Sequence, residues 1–319
     1  MPKTPPQNAP HREATRHERP PQDPEPQDPA RQDPAPPPPT RPDPPAPLVA
    51  RLRAAGCVFA EDEARLLTAA APTPAELDAL VARRVAGWPL EQVLGRAEFC
   101  GLDIAVEPGV FVPRRRSEFL VRHAAAAAAT APRPVVLDLC CGSGAIGAAV
   151  AAAVPGAELH AADVDPAAVR CARRNVGPAG TVYEGDLYAP LPARLRGRVD
   201  VLVVNAPYVP TDEVPFLPPE ARDHEPLTAL DGGADGLDVQ RRVIAAAPKW
   251  LAPGGLLLVE TSERQEPRTR AAVVAAGLTA HTAACADLAA TVVTGRAPRA
   301  GGARPGAGPP TRTPAPGAA

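Results

Sequence analysis

The sequence lacks the cysteine and histidine patterns that hold together small secreted proteins or metal sites. Its six cysteines form no Cys-x-x-Cys pair and lie mostly in apolar runs, which is typical of free buried thiols. Its six histidines have no metal-ligand spacing, so we expect no metal site. The N-terminus has no apolar secretion signal, and the alanine run at 124–129 is far too short to span a bilayer. These absences predict a cytoplasmic protein without a membrane segment.

The sequence also lacks an excess of positive charge. Between residues 48 and 296 it holds 25 basic and 29 acidic residues. Enzymes that act on nucleic acid usually present a basic surface. The charge balance therefore argues against a nucleic-acid substrate.

Apolar residues are scarce at both ends of the chain. Residues 1–47 consist largely of Pro, Gln, Asp and Arg, and residues 297–319 of Pro, Gly, Ala, Arg and Thr. Such segments cannot bury enough apolar surface to offset the entropy of ordering. We therefore predict two disordered tails around an ordered part, residues 48–296.

The ordered part begins with a helical pattern. Apolar residues three and four apart predict two or three short helices over residues 48–95. A loosely alternating segment at 99–112, broken by Gly101 and Pro108-Gly109, predicts a β-hairpin within a linker and flap over residues 96–116. We interpret 48–95 as a substrate-recognition segment and 117–296 as the main domain.

The main domain has alternating strand and helix patterns. Apolar runs predict strands at 135–139, 157–162, 180–184, 199–204 and 255–260. Helical patterns predict helices near 144–153, 167–175, 236–250 and 265–276. Two last apolar segments, near 278–284 and 288–295, predict an antiparallel pair at one edge. This alternation is typical of an α/β fold with a parallel, doubly wound sheet.

A glycine-rich loop follows the first predicted strand of the sheet. Gly142, Gly144 and Gly147 fit the G-x-G-x-x-G pattern between a strand and a helix, with Asp163 about twenty residues further on. Glycines let the backbone approach a nucleoside cofactor, and a carboxylate at the end of the second strand can bind a ribose diol. Taken alone, the pattern also suits a dinucleotide.

Three further features favour S-adenosylmethionine as the ligand of this loop. Asp138, four residues before Gly142, is placed to attract the cationic amino-acid moiety of that cofactor, although it could instead cap the loop. Asp186-Leu187 follows the third strand, where a carboxylate can accept a hydrogen bond from an adenine amino group. Asn205 ends the fourth strand at the same edge. Ligands of open α/β sheets bind at the carboxyl ends of the strands, so these elements converge.

The fourth predicted strand ends in the tetrapeptide Asn205-Ala206-Pro207-Tyr208. The Asn side-chain oxygen and the next backbone carbonyl can together accept both hydrogens of one planar NH2 group. The aromatic ring can supply an apolar wall for the flat group. A planar nitrogen beside a nucleoside cofactor indicates methyl transfer.

Taken in order, these motifs resemble the bacterial N5-glutamine methyltransferases that modify peptide chain release factors. The resemblance covers about residues 61–296 and also includes Gly95-Arg-Ala-Glu98-Phe99, Phe111-Val-Pro113-Arg114, Glu225-Pro226 and Leu230-Asp231-Gly232-Gly233. It implies a class I S-adenosylmethionine-dependent methyltransferase, which has a Rossmann-like seven-stranded sheet and a small N-terminal helical domain. It also implies the cofactor S-adenosyl-L-methionine and, as partner, a class I release factor. We expect a monomer.

The same resemblance gives roles to individual residues. The residues expected to bind the cofactor are Asp138, Gly142, Ser143, Gly144, Asp163, Asp186, Leu187 and Asn205. The residues expected to hold the glutamine amide are Asn205, Ala206 through its carbonyl, Pro207 and Tyr208. The residues expected to form a flap over cofactor and substrate are Phe111, Pro113 and Arg114. No general base is convincing, and none is required before methyl transfer.

The sequence departs from the family pattern near the expected substrate. Position 206 is Ala where the family normally has Pro, which loosens the turn but keeps the carbonyl. In the flap, Arg115 replaces Pro and Ser117 replaces Thr. Three hypotheses of function stay open: methylation of the Gly-Gly-Gln glutamine of a release factor or of a related protein, methylation of an exocyclic amine in DNA or RNA, and S-adenosylmethionine binding without catalysis.

Overall fold

The computed structural model describes residues 43–299. Most of the two predicted tails, 1–42 and 300–319, lies outside the described residues. Where the tails enter them, the chain is hydrogen-bonded: a helix begins at Ala46, and Ala297 donates its backbone N–H to the Gly255 carbonyl at 2.9 Å. Over residues 43–299, no helix is long and apolar enough to cross a membrane, and no group of three or more His, Cys, Asp or Glu residues could hold a metal ion.

Four helices form the N-terminal segment, where two or three were predicted. They are α1 Ala46–Ala54, α2 Ala60–Ala70, α3 Pro74–Val85 and α4 Leu90–Leu94. Helix α3 begins as its sequence indicates, since the Thr73 side chain accepts the Glu76 backbone N–H and Pro74 occupies the first turn. Leu52, Leu67 and other apolar side chains of these helices are fully buried in a small core of their own.

The hairpin that follows is shorter than predicted and lies earlier in the chain. It consists of β1 Arg96–Phe99 and β2 Leu102–Ala105, and residues 106–114 contain no strand. Cys100 and Gly101 form the turn with φ of 51° and 75°, as a two-residue hairpin turn of the primed type requires. The predicted extent to residue 112 was wrong: beyond Val106, whose N–H still donates to the Gly95 carbonyl at 3.0 Å, the buried Val110 and Val112 belong to no strand.

A seven-stranded sheet forms the main domain, as the sequence predicts. Its strands are β3 Val135–Leu139, β4 Glu158–Asp163, β5 Gly180–Glu184, β6 Val199–Val204, β7 Leu251–Thr261, β8 Thr279–Cys285 and β9 Ala290–Arg296. The strand order is β5-β4-β3-β6-β7-β9-β8. All neighbouring pairs are parallel except those of β9, which runs antiparallel to both β7 and β8. The antiparallel pair predicted at one edge is therefore confirmed.

Helices cover both faces of this sheet. The α-helices of the main domain are α5 Glu118–Ala128, α6 Ala145–Ala153, α7 Pro166–Val176, α8 Pro219–His224, α9 Leu227–Leu230, α10 Asp238–Ala246 and α11 Glu266–Ala275. Of these, α8 and α9 carry residues of the cavity wall described below. Residues of α5, α6 and α7 pack on one face, and residues of α10 and α11 on the other. The sequence did not predict α5, because its alanine run has no apolar periodicity to read. In the structure, Leu120, Val121 and Ala124 of α5 are buried in the core.

Candidate active site

A cavity of about 720 Å³ opens at the carboxyl ends of β3, β4, β5 and β6. Its volume is in the range of small-molecule sites. Residues from the glycine-rich loop, the end of β4, Asp186-Leu187 and the Asn205 turn line it together with the predicted flap. Leu217 and other residues of the segment between β6 and α10 complete the wall. The topology thus brings the predicted motifs to one edge of the sheet.

The Asp163 carboxylate ties the glycine-rich loop to the end of β4. Its Oδ2 accepts the Gly142 backbone N–H at 2.8 Å, and its Oδ1 accepts the Asp165 N–H at 2.9 Å. Burial raises the pKa of Asp163, and these backbone hydrogen bonds partly offset that effect. A carboxylate has about four acceptor sites, so Asp163, which lines the cavity, can still accept a hydrogen bond from a ligand. Asp165 in turn caps α7, since its Oδ1 accepts the Ala167 N–H at 2.7 Å.

The two first glycines of the loop have different surroundings. Both have positive φ, 55° at Gly142 and 77° at Gly144. Gly142 lies on the cavity wall beneath the flap, where an added Cβ would meet only the Phe111 Cβ, at 4.0 Å. Gly144 is not on the wall, and an added Cβ would lie 3.0 Å from the Cβ of Ala172 on α7. Ser143, between them, is buried and lines the cavity.

Asp138 lies behind the loop instead of on the cavity wall. Its Oδ2 accepts the Gly147 backbone N–H at 2.8 Å, and Oδ1 is buried with no hydrogen-bond partner among residues 43–299. Burial raises the pKa of Asp138 to about 7. This is the loop-cap arrangement considered for Asp138, and its predicted attraction for the amino-acid moiety of a cofactor stays a prediction.

Asp186 and Leu187 line the cavity beyond the end of β5. Asp186 accepts a hydrogen bond from Arg242 of α10, which also lines the cavity and which the sequence did not single out. Leu187 has a φ of 49°, and the Val164 side chain on the same wall is 55% exposed. The two apolar side chains border this end of the cavity with a carboxylate beside them.

Asn205 stands at the end of β6 and lines the cavity, half-buried. Its Nδ2 donates to the Ser117 Oγ at 3.4 Å, and no protein donor within residues 43–299 bonds its Oδ1. Ala206, at 1% exposure, and Pro207 are buried, and both line the cavity with Tyr208. The four residues predicted to hold the substrate amide therefore lie together on the cavity wall, and Asn205 Oδ1 is free to accept a hydrogen bond from a ligand.

Two glycines that follow α9, Gly232 and Gly236, pack against the backbone of the Asn205 turn. Gly232 donates its N–H to the Val209 carbonyl at 2.8 Å, and an added Cβ on Gly232 would lie 2.7 Å from the Pro207 carbonyl oxygen. An added Cβ on Gly236 would lie 2.3 Å from the Tyr208 carbonyl oxygen, and that carbonyl accepts a hydrogen bond from Gln265 at 2.8 Å. Glycine is required here because a side chain would displace the turn.

Glu225 anchors the predicted flap. Arg114 donates to both of its carboxylate oxygens, at 2.6 and 2.7 Å, and the Val112 N–H donates to Oε1 at 3.2 Å. Burial raises the pKa of Glu225, and the charge of Arg114 opposes the shift. The Arg114 guanidinium also lies over the Phe111 ring, 4.9 Å from its centroid. Gln92 of α4 donates to the Val110 carbonyl at 3.0 Å, so the helical segment holds the other side of the flap.

Known proteins resemble this chain over most of its described length. A release factor glutamine methyltransferase of Geobacter sulfurreducens is 45% identical over 193 residues, which are 59% of this chain and 66% of that protein. Another, from Bradyrhizobium diazoefficiens, is 36% identical over 265 residues, 76% of this chain and 89% of that protein. The chain belongs to the release factor glutamine methyltransferase family. The resemblance predicted from the motifs is confirmed.

Two further likenesses agree with a methyltransferase. The family model described as "Methyltransferase small domain" matches residues 101–215. A 4-amino-L-phenylalanine/4-methylamino-L-phenylalanine methyltransferase of Streptomyces pristinaespiralis is 35% identical over 233 residues, 70% of this chain and 79% of that protein. The match at 101–215 contains the second strand of the hairpin, the flap, the glycine-rich loop and the Asn205 turn.

The methyltransferase holds one charged group near the Asn205 turn that sequence reasoning missed. Glu260, on β7, is 2% exposed, and Arg116 of the flap donates to its Oε1 at 3.3 Å. Burial raises the pKa of Tyr208 to about 12, with Glu260 adding to the shift. The one signal available in the sequence was a carboxylate at the end of the apolar fifth strand predicted at 255–260.

Proposed function

We propose that this protein transfers a methyl group from S-adenosylmethionine to the side-chain amide nitrogen of the glutamine in the Gly-Gly-Gln loop of a class I peptide chain release factor. One observation carries the proposal. Asn205 faces the same cavity as the glycine-rich loop and keeps its Oδ1 free of protein donors among residues 43–299. A carboxamide oxygen at that place suits a ligand that brings N–H groups.

The part of the cavity wall around the glycine-rich loop and the ends of β4 and β5 suits the cofactor. Asp163 lines the cavity where a carboxylate can accept from a ribose hydroxyl, and Gly142 leaves room for close approach of a ligand. Val164 and Leu187 offer apolar surface to a purine, with Asp186 beside them for its amino group. When bound, S-adenosylmethionine would supply an electrophilic methyl group on a sulfonium.

The residues of the turn would act on the acceptor nitrogen. An amide nitrogen is a weak nucleophile because its lone pair is delocalised, so its position and electrostatic surroundings decide the rate. Asn205 Oδ1 and the Ala206 carbonyl would accept its two N–H groups and stabilise the positive charge that grows as the N–C bond forms and the S–C bond breaks. The extra proton leaves the nitrogen for solvent after transfer. In the family a Pro at this position stiffens the turn; here the packing around buried Ala206 restrains it instead.

The helical segment would help to recognise the protein substrate. Arg84 of α3 is buried and pairs with Glu63 of α2 at 2.6 Å and with Glu220 of α8 at 2.7 Å. Trp88 packs against His224 with ring centroids 4.5 Å apart. Since Glu220 lines the cavity, the helices are joined to its rim. A protein bound on this segment would therefore be held next to the Asn205 turn.

The test incubates the full chain with methyl-labelled S-adenosylmethionine and a class I release factor. A matched reaction carries a Gln-to-Ala change in the Gly-Gly-Gln loop, and two further reactions offer nucleic acid and 4-amino-L-phenylalanine. We expect label only with the intact glutamine. Label on nucleic acid or on the free amino acid instead would overturn the proposed substrate. Cofactor binding without label in any reaction would favour the non-catalytic hypothesis.

A further inference from the structure

Asn175, on α7, joins the hairpin to the glycine-rich loop through one side-chain amide. Its Oδ1 accepts the Ala105 backbone N–H at 2.8 Å, and its Nδ2 donates to the Ala105 carbonyl, also at 2.8 Å. The same Nδ2 donates to the Ser143 carbonyl at 2.8 Å. Asn175 is half-buried and does not line the cavity. The amide thus uses its oxygen and both of its nitrogen hydrogens, although the proposed chemistry gives it no part.

The Ser143 carbonyl belongs to the peptide that ends the glycine-rich loop. The N–H of this peptide, from Gly144, donates to the Cys141 carbonyl at 2.7 Å. A peptide next to glycine rotates at little steric cost, because glycine populates positive and negative φ about equally. Gly144 has a φ of 77° and directly precedes α6. The hydrogen bonds from Gly144 and from Asn175 therefore fix the orientation of the peptide.

The orientation of this peptide matters to a ligand of the cavity. Gly142 and Ser143 line the cavity, and so does Ala145, the first residue of α6. Rotation of the peptide would turn the Ser143 carbonyl away from α7 and displace the backbone on both sides of it. A loop that already has its binding conformation loses less entropy when the ligand arrives. Asn175 thus holds a part of the cavity wall from behind.

Ala105 supports the amide from the hairpin. Ala105 ends β2, pairs with Arg96 of β1 and is buried. Cys171, one turn before Asn175 on α7, donates its Sγ–H to the same Ala105 carbonyl at 3.1 Å. Within residues 43–299, no hydrogen bond joins Cys171 to the glycine-rich loop. The support of Ala105 and the hold on Ser143 can therefore be altered separately.

We propose that Asn175 is a positioning residue for cofactor binding: anchored on the backbone of Ala105, its amide holds the Ser143–Gly144 peptide in the orientation that the cofactor meets. The inference rests on the proposed function, which makes S-adenosylmethionine the ligand of this loop. Asn175 acts through Ser143 and does not touch the cofactor. Because the Asn205 turn lies at the end of another strand, β6, Asn175 should determine cofactor affinity and leave the rate of transfer unchanged.

The binding test titrates S-adenosylmethionine calorimetrically into Asn175→Ala and Asn175→Asp. Asn175→Ala removes the amide, whereas Asn175→Asp keeps its size and its acceptor for the Ala105 N–H but loses the donor to Ser143. We expect the dissociation constant to rise roughly tenfold in both, a factor that one hydrogen bond can supply. The kcat with the release factor at saturating S-adenosylmethionine should stay unchanged.

Cys171→Ala is the matched control, because it removes a contact with the same Ala105 carbonyl and leaves the donor to Ser143 in place. Its melting temperature should fall, and its dissociation constant for S-adenosylmethionine should stay unchanged. An unchanged dissociation constant in both Asn175 variants would overturn the inference. So would an equal rise in Cys171→Ala, since affinity would then follow the general stability of this region.

A second measurement depends neither on activity nor on the cofactor. In ¹⁵N-labelled protein, hydrogen exchange is followed at the Asn175 side-chain NH2 and at the Gly144 backbone N–H. We expect both to exchange slowly in the unaltered protein and in Cys171→Ala, and Gly144 to exchange faster in the Asn175 variants. Fast exchange of the Asn175 NH2 in the unaltered protein would refute the role of Asn175 without any variant.

The two measurements also separate this inference from the proposed function. If the unaltered protein binds S-adenosylmethionine but methylates no release factor, the proposed substrate fails and the titrations still decide the role of Asn175. If it binds no S-adenosylmethionine, the proposed function fails, while hydrogen exchange still decides whether Asn175 holds the loop.

Discussion

Backbone N–H groups that donate to the Asp163 carboxylate hold the cavity wall at the glycine-rich loop, whereas contacts between side chains from distant parts of the chain hold the wall around Asn205. Gly142 and Asp163 meet across 21 residues of sequence within one β-α-β unit. Asn205 and Ser117 are 88 residues apart, and Arg116 and Glu260 are 144 apart. The first wall should therefore respond to changes of the backbone and of the Asp163 carboxylate, and the second to changes of single side-chain atoms.

The largest effect is expected at the side-chain wall. Asn205→Ala removes the free acceptor oxygen, so we expect kcat to fall by about 10²–10³-fold, which corresponds to ~3–4 kcal/mol of transition-state stabilisation. Calorimetric titration with S-adenosylmethionine should show near-normal binding, because Asp163 and Gly142 are untouched. Full activity in this variant would remove Asn205 from the mechanism. Lost cofactor binding would show that the two walls are not separable.

A pair of glycine variants tests the backbone wall. Gly142→Ala introduces a side chain at positive φ in open space, and should lower the free energy of unfolding by ~1–2 kcal/mol. Gly144→Ala adds contacts of 3.0–3.1 Å with Ala172 to the same kind of strain, and should cost a further ~1–3 kcal/mol. Chemical denaturation measures both. Equal costs would contradict the packing role of Gly144.

The flap joins the two walls, and its anchor can be removed. Arg114→Met deletes the two hydrogen bonds to Glu225 and leaves a buried carboxylate without its cation. Hydrogen bonds to charged groups contribute about 1.5–3 kcal/mol, so the KM for cofactor or release factor should rise roughly tenfold or more. Arg115→Met is the matched control, since Arg115 is exposed and adjacent. Equal kinetics in the two variants would show that the anchor has no part in binding.

A further prediction concerns how stability depends on pH. The pKa of Asp138 is raised by burial to about 7, above its ordinary 3.8, so the folded protein binds more protons than the unfolded chain between those values. Its stabilising contribution is therefore present below pH 4 and is lost as the pH rises to about 7. Asp163, Glu225 and Glu260, whose pKa values are also raised, act in the same direction.

Asp138→Asn isolates the contribution of this one group. The free energy of unfolding, measured by denaturant titration from pH 4 to pH 8, should fall less steeply with pH in the variant than in the unaltered protein. Parallel curves would show that Asp138 titrates in the folded protein as it does in the unfolded chain.

Local patterns in the sequence predicted the sheet well and the flap poorly. Strands β3, β5 and β6 lie at the predicted residues, because each is a short segment rich in β-branched, aliphatic or aromatic residues and is followed by a turn. The hairpin was misplaced, because alternating apolar residues do not show which of them belong to a paired strand. Helix α5 was missed, because an alanine run has no apolar periodicity that would indicate a helix. Gly144 matched the cofactor pattern, but only the structure shows that α7 packs against it where a side chain would otherwise lie.

By itself, the sequence determined the fold class, the glycine-rich loop and the Asn205 turn, because each depends on residues that are neighbours along the chain. Only the tertiary structure decided that Glu225 anchors the flap, that Arg242 meets Asp186, that Ser117 meets Asn205 and that Arg116 meets Glu260. The strand order places β7 beside β6, and the flap crosses their ends. No local pattern encodes such contacts, since they depend on how the whole sheet is assembled.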